Sequence, residues 1–248
     1  EARLQTLYNN ASVAVSALSQ AGLDDARAGN LTALLDDLAA GIEAANAPTA
    51  ANLKARNARL DAISFAISDR VSAVTALEEA LENASGQAEL ETFLRLMIDL
   101  NLILTQYAEL DGALSVDEVA NVEDRFELAM DELLVNLAIL GGAATQEITD
   151  ASEALISRGE GPQGVFALRR TEIESEIVAA NAVEDARIAH ALLAAEVEQL
   201  VSEANALADS ARANGFTAVL SGQILLIVMA IGAVVIAGVI GWIYVNNN

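Results

Sequence analysis

From Ile224 to Val245 the chain carries 22 residues without a single charge, apolar and broken only by small Gly and Ala. A helix of that length spans roughly 33 Å at 1.5 Å per residue, against a bilayer hydrocarbon thickness of ~30 Å. The run predicts a transmembrane helix over 224–245; the competing reading, a buried core hairpin, fits the length poorly. Trp242 and Tyr244 stand at its far end, where amphipathic rings anchor a helix in the membrane interface, and Ser221 and Gln223 mark the near end. Ala233, Ala237 and Gly241 recur every four residues, a small-residue face on which two membrane helices can approach closely. Its C-terminal position excludes a cleaved signal peptide.

No charged residue follows Arg212, so the whole net charge of −23 (13 Lys+Arg against 36 Asp+Glu) belongs to the part before the apolar run. That imbalance excludes a nucleic-acid binder, which needs clustered cations to meet phosphate. Hydrophobic residues are 54% of the chain but aromatics only 4%, and there are two prolines, a composition of helices rather than β-sandwich cores. Without cysteine there is no disulfide, thiolate nucleophile or Cys-ligated metal, and one histidine excludes a His-rich metal site.

Helical spacing then runs along the chain with no strand-like alternation. Leu4, Leu7, Ala11, Val15 and Leu18 form a first stripe that stops near Gly22 and Gly29. Leu31, Leu34, Leu35, Leu38 and Ile42 form a second, with Asn30 as N-cap and an end before Pro48. A third helix from Thr49 carries Leu53, Leu60, Ile63, Ile67, Val71, Val74, Leu77 and Leu81 as its core stripe, up to Ser85-Gly86. The fourth, from Gln87 to Glu109, is apolar nearly all round and belongs inside a bundle or in a subunit interface. A fifth, marked by Val119, Val122, Phe126, Met130, Leu133, Leu137 and Leu140, ends at Gly141-Gly142; a short sixth with Ile148 and Leu155 runs to the loop Gly159-Glu160-Gly161-Pro162. From Val165 a last, long helix bears the heptad-like seam Leu193, Val197, Leu200, Ala204, Leu207 and Ala211.

The expected fold is all-α: an elongated up-down helical bundle of the stacked four-helix-bundle type, whose long C-terminal helix continues into a single transmembrane helix. Residues 1–213 form the helical domain, 214–223 a juxtamembrane connector, 224–245 the span, and 246–248 the start of the far side. The start at Glu1, without methionine, and the end at Asn246-Asn247-Asn248, without a cation beyond the span, give the expectation of a piece of a longer protein.

Three groups are candidates for chemistry. Arg95 and Asp99 lie four apart on the most apolar helix, so they either pair with each other or a neighbouring helix, or line a polar pocket for a small anion or zwitterion. His190, three residues before Leu193, falls on the seam of the last helix, as a register-fixing polar interruption or a pH-sensitive, ligand-contacting group. Asp111 to Glu118 matches the second half of an EF-hand calcium loop, but its first ligand position falls on Tyr107; an Asp-Gly turn followed by a Ser115-x-x-Glu118 capping box is the simpler reading. No glycine-rich phosphate loop, G-x-S-x-G or H-E-x-x-H occurs, so no catalytic residue, metal site or cofactor is expected.

The segment Gly161-Pro162-Gln163-Gly164-Val165-Phe166-Ala167-Leu168-Arg169-Arg170, the acidic helix after it, and the exit Gly241-Trp242-Ile243-Tyr244-Val245-Asn246-Asn247-Asn248 together resemble the sensor region of TorS-like transmembrane histidine kinases. The resemblance covers the whole chain in layout and the C-terminal third in recognisable residues. It implies a periplasmic helical sensor in a bacterial inner membrane, followed by a second span, a basic HAMP segment and an ATP-dependent kinase core. It further implies a homodimer that reads a small-molecule ligand or a periplasmic binding protein. A chemoreceptor sensor domain and a non-signalling membrane-anchored scaffold are the alternative functions for the same layout.

Overall fold

The computed structural model describes residues 2–20, 23–82 and 86–214, with side chains described over 8–18, 23–82 and 86–210. The expected span 224–245, with Trp242, Tyr244, Ala233, Ala237 and Gly241, lies outside the described residues, as does the connector beyond Asn214. Among the described residues no helix is long and apolar enough to cross a membrane.

The described chain is all-helical: α1 (Ala2–Gln20), α2 (Asp25–Glu82), α3 (Gln87–Glu109), α4 (Val116–Leu140), α5 (Gln146–Ser157) and α6 (Val165–Asn214), with single 3-10 turns after α3 and α4. The all-α class, the bounds of α3, α4 and α5 and the start of α6 agree with the spacing of their apolar residues. Local chemistry sets those bounds. Ser115 Oγ accepts from the Glu118 amide at 3.2 Å and Thr145 Oγ1 from the Ile148 amide at 3.3 Å, each satisfying a donor at a helix start. Gly141 ends α4 with φ +50°, a conformation that favours glycine.

Two compact units divide the chain: one from the described residues of Glu1–Asn46 and Ala179–Asn248, the other Ala47–Val178. In the first, Ala11, Val15 and Leu18 of α1 pack with Leu31 and Leu35 of α2 and with Leu193, Val197 and Leu200 of α6. Helices α2 and α6 come close there: a Cβ added to Gly41 would lie 3.0 Å from the Ala186 Cβ. In the second, Ala66, Ala73 and Leu77 of α2, Phe93, Leu96, Leu100 and Ile103 of α3, Val119, Phe126 and Leu133 of α4, Ile148 and Leu155 of α5, and Phe166 and Ile173 of α6 form one core.

Four expectations need correction. Helix α2 is continuous through Pro48 instead of ending before it, and Asn30 lies inside the helix, not at its cap. Proline costs a helix interior about 3 kcal/mol. The flanking Ala44, Ala45, Ala47, Ala50 and Ala51 are the strongest helix formers, and Ala45 and Ala55 are buried on either side. Second, half of the stripe expected for the helix from Thr49 is not buried, although Leu77 is and Ile63, Val74 and Leu81 pack against the core. Leu53, Leu60, Ile67 and Val71 are exposed, and the inward seam is Ala55, Arg59, Ala66, Ala73 and Leu77. Small residues let a helix approach its neighbours closely, and the leucine stripe is left on the outer side. Third, of the two places expected for α3, the inside of a bundle does not hold and the subunit interface stays open: Leu90, Leu94, Ile98 and Leu102 face outward. Fourth, the α6 seam holds at Leu193, Val197, Leu200 and Ala204 but not at Leu207, which is exposed.

Candidate functional site

Arg95 and Asp99 share a groove between α3 and α4 of about 510 Å³. They do not form a salt bridge with each other. Arg95 is exposed and donates to Glu91 one turn back at 2.8 Å, while Asp99 is 4% exposed and accepts from Asn136 Nδ2 of α4 at 2.7 Å. Burial raises the Asp99 carboxyl above its ordinary value; the Asn136 hydrogen bond opposes this, Glu132 adds to it, and distant Arg95 offsets little. Asp131 and Glu132 stand on the α4 rim, and Ile98, Val135 and Ile139 supply apolar walls. Three carboxylates against one guanidinium disfavour an anion and suit a positively charged group or an apolar side chain with basic flanks.

The segment that carries the family resemblance builds a clasp around the start of α6. After Ser157 the chain turns through Gly159 to Gly164, and the Val165 amide closes the loop on the Arg158 carbonyl at 2.8 Å. Gly161 has φ +74°. A Cβ at Gly164 would lie 2.3 Å from the Gly159 carbonyl oxygen, and one at Gly159 would lie 2.5 Å from the Phe126 ring, so both glycines are required by close approach. Phe166 then packs against Tyr107 and Phe126, with centroids 5.0 to 5.9 Å apart, and the Tyr107 hydroxyl donates to the Leu155 carbonyl at 2.7 Å. Burial pushes that phenol well above its ordinary range.

The two arginines of the segment have separate tasks. Arg170 pairs with Glu123 of α4. Arg169 donates to the Ala113 carbonyl and to Glu172, both at 2.7 Å. Glu172 also accepts from Arg59 of α2, whose Nη1 reaches Asp111 at 2.6 Å, and the Glu172 carbonyl accepts from Asn52 Nδ2 at 2.8 Å. One buried glutamate thus ties α6 to α2 and, through Arg59 and Arg169, to the turn after α3.

That turn answers the calcium reading. Tyr107 is buried in the aromatic cluster, Asp111 is engaged by Arg59, and Ser115 and Glu118 cap α4, with Glu118 Oε2 accepting from the Leu114 amide at 2.5 Å. Among the described residues no group of three or more His, Asp or Glu could hold a metal. His190 is half-buried: Ala189 beside it takes the seam position four residues before Leu193, and the imidazole lies on the flank. His190 belongs to the first unit, the groove to the second.

Sequence reading missed the α4 half of the groove and the Arg59–Glu172 pair. Arg59 carries a legible signal, since it falls at helical spacing on the stripe Ala55, Ala62, Ala66. Asn136 has none: a lone amide on an amphipathic helix is ordinary until Asp99 is placed opposite. No family model, no curated protein and no solved structure matches this chain.

Proposed function

We propose that the chain is the transmembrane signal-sensing module of a two-component sensor histidine kinase. It binds a periplasmic ligand or a ligand-loaded binding protein and passes a helix displacement across the bacterial inner membrane. The observation that carries this reading is α6. It is one helix from Val165 to Asn214, clasped at its start by the Arg59–Glu172 and Phe166 contacts, and in chain order it is followed within ten residues by the apolar run 224–245. A displacement of ~1–2 Å along such a helix is the scale on which switching proteins move elements. It is driven by whatever binds one packing of the bundle more tightly than another. The acidic surface suits recruitment of a partner with a basic face.

The reading frame downstream of Asn248 supplies the first test. A basic segment followed by a phosphoacceptor histidine box and ATP-binding motifs supports the kinase; a long heptad hairpin transfers the chain to the chemoreceptors; neither leaves a membrane-anchored scaffold. The second test is biochemical. The protein with its native flanks is expected in the membrane fraction, with residues 1–213 accessible to protease from the periplasmic side only. Cleavage from the cytoplasmic side overturns the sensor topology.

A further inference from the structure

Two exposed apolar surfaces in the unit Ala47–Val178 have no partner within the unit. On one, Leu94, Ile98 and Leu102 of α3 and Val135 and Ile139 of α4 each keep at least 40% of their surface exposed, and Ile98, Val135 and Ile139 among them line the groove described above. On the other, Leu53, Leu60, Ile67 and Val71 of α2 recur at steps of seven, seven and four, so they form one straight outward stripe. Exposed large apolar residues aligned on one helix face, rather than scattered singly, are the pattern of an interaction site. The docking residues fit the groove in length: Leu94 to Leu102 covers about 12 Å of helix, and Leu60 to Ile67 about 11 Å.

The charges differ in sign. Residues 87–140 hold twelve carboxylates against Arg95 and Arg125, and Asp131 and Glu132 rim the groove. Residues 47–77 hold four cations, Lys54, Arg56, Arg59 and Arg70, against Asp61 and Asp69. Of these, Lys54 and Arg56 are exposed, flank the stripe at its start, and among the described residues enter no salt bridge. In a chain of net charge −23, a local cationic excess beside an apolar helical stripe is the complement of an acidic-rimmed apolar groove.

We propose that the α3–α4 groove of one copy receives the α2 stripe of a second copy, Leu60 and Ile67 entering between Ile98 and Val135 while Lys54 and Arg56 reach the acidic rim. This is a helix-in-groove contact made between unlike faces. A like-face pairing of two α3–α4 grooves is disfavoured because it sets carboxylates against carboxylates. The proposal deepens the homodimer expected of the sensor reading by naming its contact face, and it holds equally for a scaffold. A failed cross-link therefore leaves the sensor reading standing, and a reading frame without kinase motifs leaves the contact standing.

The chain has no cysteine, so introduced ones report unambiguously. Full-length chain in nonionic detergent is prepared as two differently tagged variants, Leu60→Cys and Val135→Cys, and treated with a short bis-maleimide. Hetero-cross-linked product is expected from the mixture and not from either variant alone. Adding Lys54→Glu and Arg56→Glu to the first is expected to lower the yield about tenfold, and adding Asp131→Lys and Glu132→Lys to the second to restore it. All four charged positions are exposed, and unchanged circular dichroism confirms folding. Cross-linking within one variant alone, absence of hetero-cross-links, or a yield indifferent to the charge reversals overturns the proposal. Monomer throughout, with capture of a basic amphipathic peptide on the groove, transfers that face to a different partner and likewise overturns it.

Discussion

Arg59 and Glu172, 113 residues apart in sequence, meet with Arg59 Nε donating to Glu172 Oε1 at 2.5 Å, each side chain only 3% exposed. Burial works against the guanidinium charge. The hydrogen bonds to Glu172 and Asp111, with their charges, outweigh it and hold Arg59 above its ordinary value. Breaking such a pair leaves an uncompensated buried charge, which costs about 3–5 kcal/mol; replacing both partners by apolar residues costs far less. Arg59→Met is therefore expected to destabilise in urea unfolding, and Arg59→Met with Glu172→Met to recover part of the loss, because Arg169 then loses its carboxylate partner. Near-wild-type stability of the single variant would show that Arg169 alone satisfies Glu172.

The loop before α6 gives a graded series of glycine substitutions. Gly164→Ala sets a methyl 2.3 Å from the Gly159 carbonyl, which is backbone and cannot swing aside, and overpacking of this kind costs about 1–3 kcal/mol or more. Gly161→Ala meets no atom but must hold φ +74°, a strain of about 1–2 kcal/mol. Gly29→Ala, in open space within α2, is expected to gain up to about 1 kcal/mol. Thermal denaturation should order the melting points Gly29→Ala highest and Gly164→Ala lowest. Equal melting points for Gly164→Ala and wild type would remove the tight turn from the structure.

Much of this fold was legible because it rests on local chemistry. Gln87–Glu109 is bounded by Gly86 and an Asp-Gly turn, and α4 by Ser115 and Gly141, residues whose capping roles do not depend on the rest of the chain. What was not legible depends on competition between stripes. Helix α2 has two apolar seams, one of leucines and one of alanines with Arg59, and spacing alone favours the larger residues. Closeness of approach decided for alanine, and that is a property of the neighbouring helices. The site divided the same way. Arg95 and Asp99 stand out as charges on an apolar helix, whereas Asn136, Asp131 and Glu132 acquire meaning only from the pairing of α4 with α3.

Asp99 makes stability depend on pH in a direction opposite to most carboxylates. Its folded value lies above its unfolded one, so its contribution is fully present below the unfolded value and is lost as pH rises through the folded one. Asp99→Asn removes that loss and keeps an acceptor for Asn136. Near pH 7 the variant is expected to be at least as stable as wild type, and the difference should vanish below about pH 4, where wild-type Asp99 is protonated. Urea titrations of both proteins at pH 3.5 and 7 measure it. Clear destabilisation of the variant at pH 7 would mean that the ionised carboxylate is held favourably, against the raised value.

Glu203 behaves conversely. Arg27 hydrogen-bonds it through two guanidinium nitrogens, one of them at 2.9 Å, and Gln199 adds a third contact, which together lower Glu203 from 4.5 to about 2. A depressed folded value gives a contribution present above pH 4.5 that is lost as pH falls through about 2. The pair joins α2 to α6 at the surface, so the effect is small and weakened by salt. Glu203→Gln should flatten the acid limb of the helical circular dichroism signal between pH 4.5 and 2 relative to wild type, and only at low ionic strength. An identical acid limb in both proteins would show that the ion pair does not form in solution.

Pro48 is the position at which this structure departs furthest from local rules. It gives the Ala44 carbonyl no amide to accept from and disfavours a helical conformation at Ala47, yet α2 continues through it. In a helix continuous through this position, Pro48→Ala restores the missing hydrogen bond and relieves the ring, stabilising the protein by about 1–3 kcal/mol. Amides from Thr49 to Asn52 should exchange more slowly in the variant, because the helix around them no longer contains a weak turn. If α2 instead bends into two helices at Ala47, alanine gains little and forces a straighter segment against the packing on each side. A melting point unchanged or lowered by Pro48→Ala, with unaltered exchange from Thr49 to Asn52, would therefore place the helix boundary where the sequence first put it.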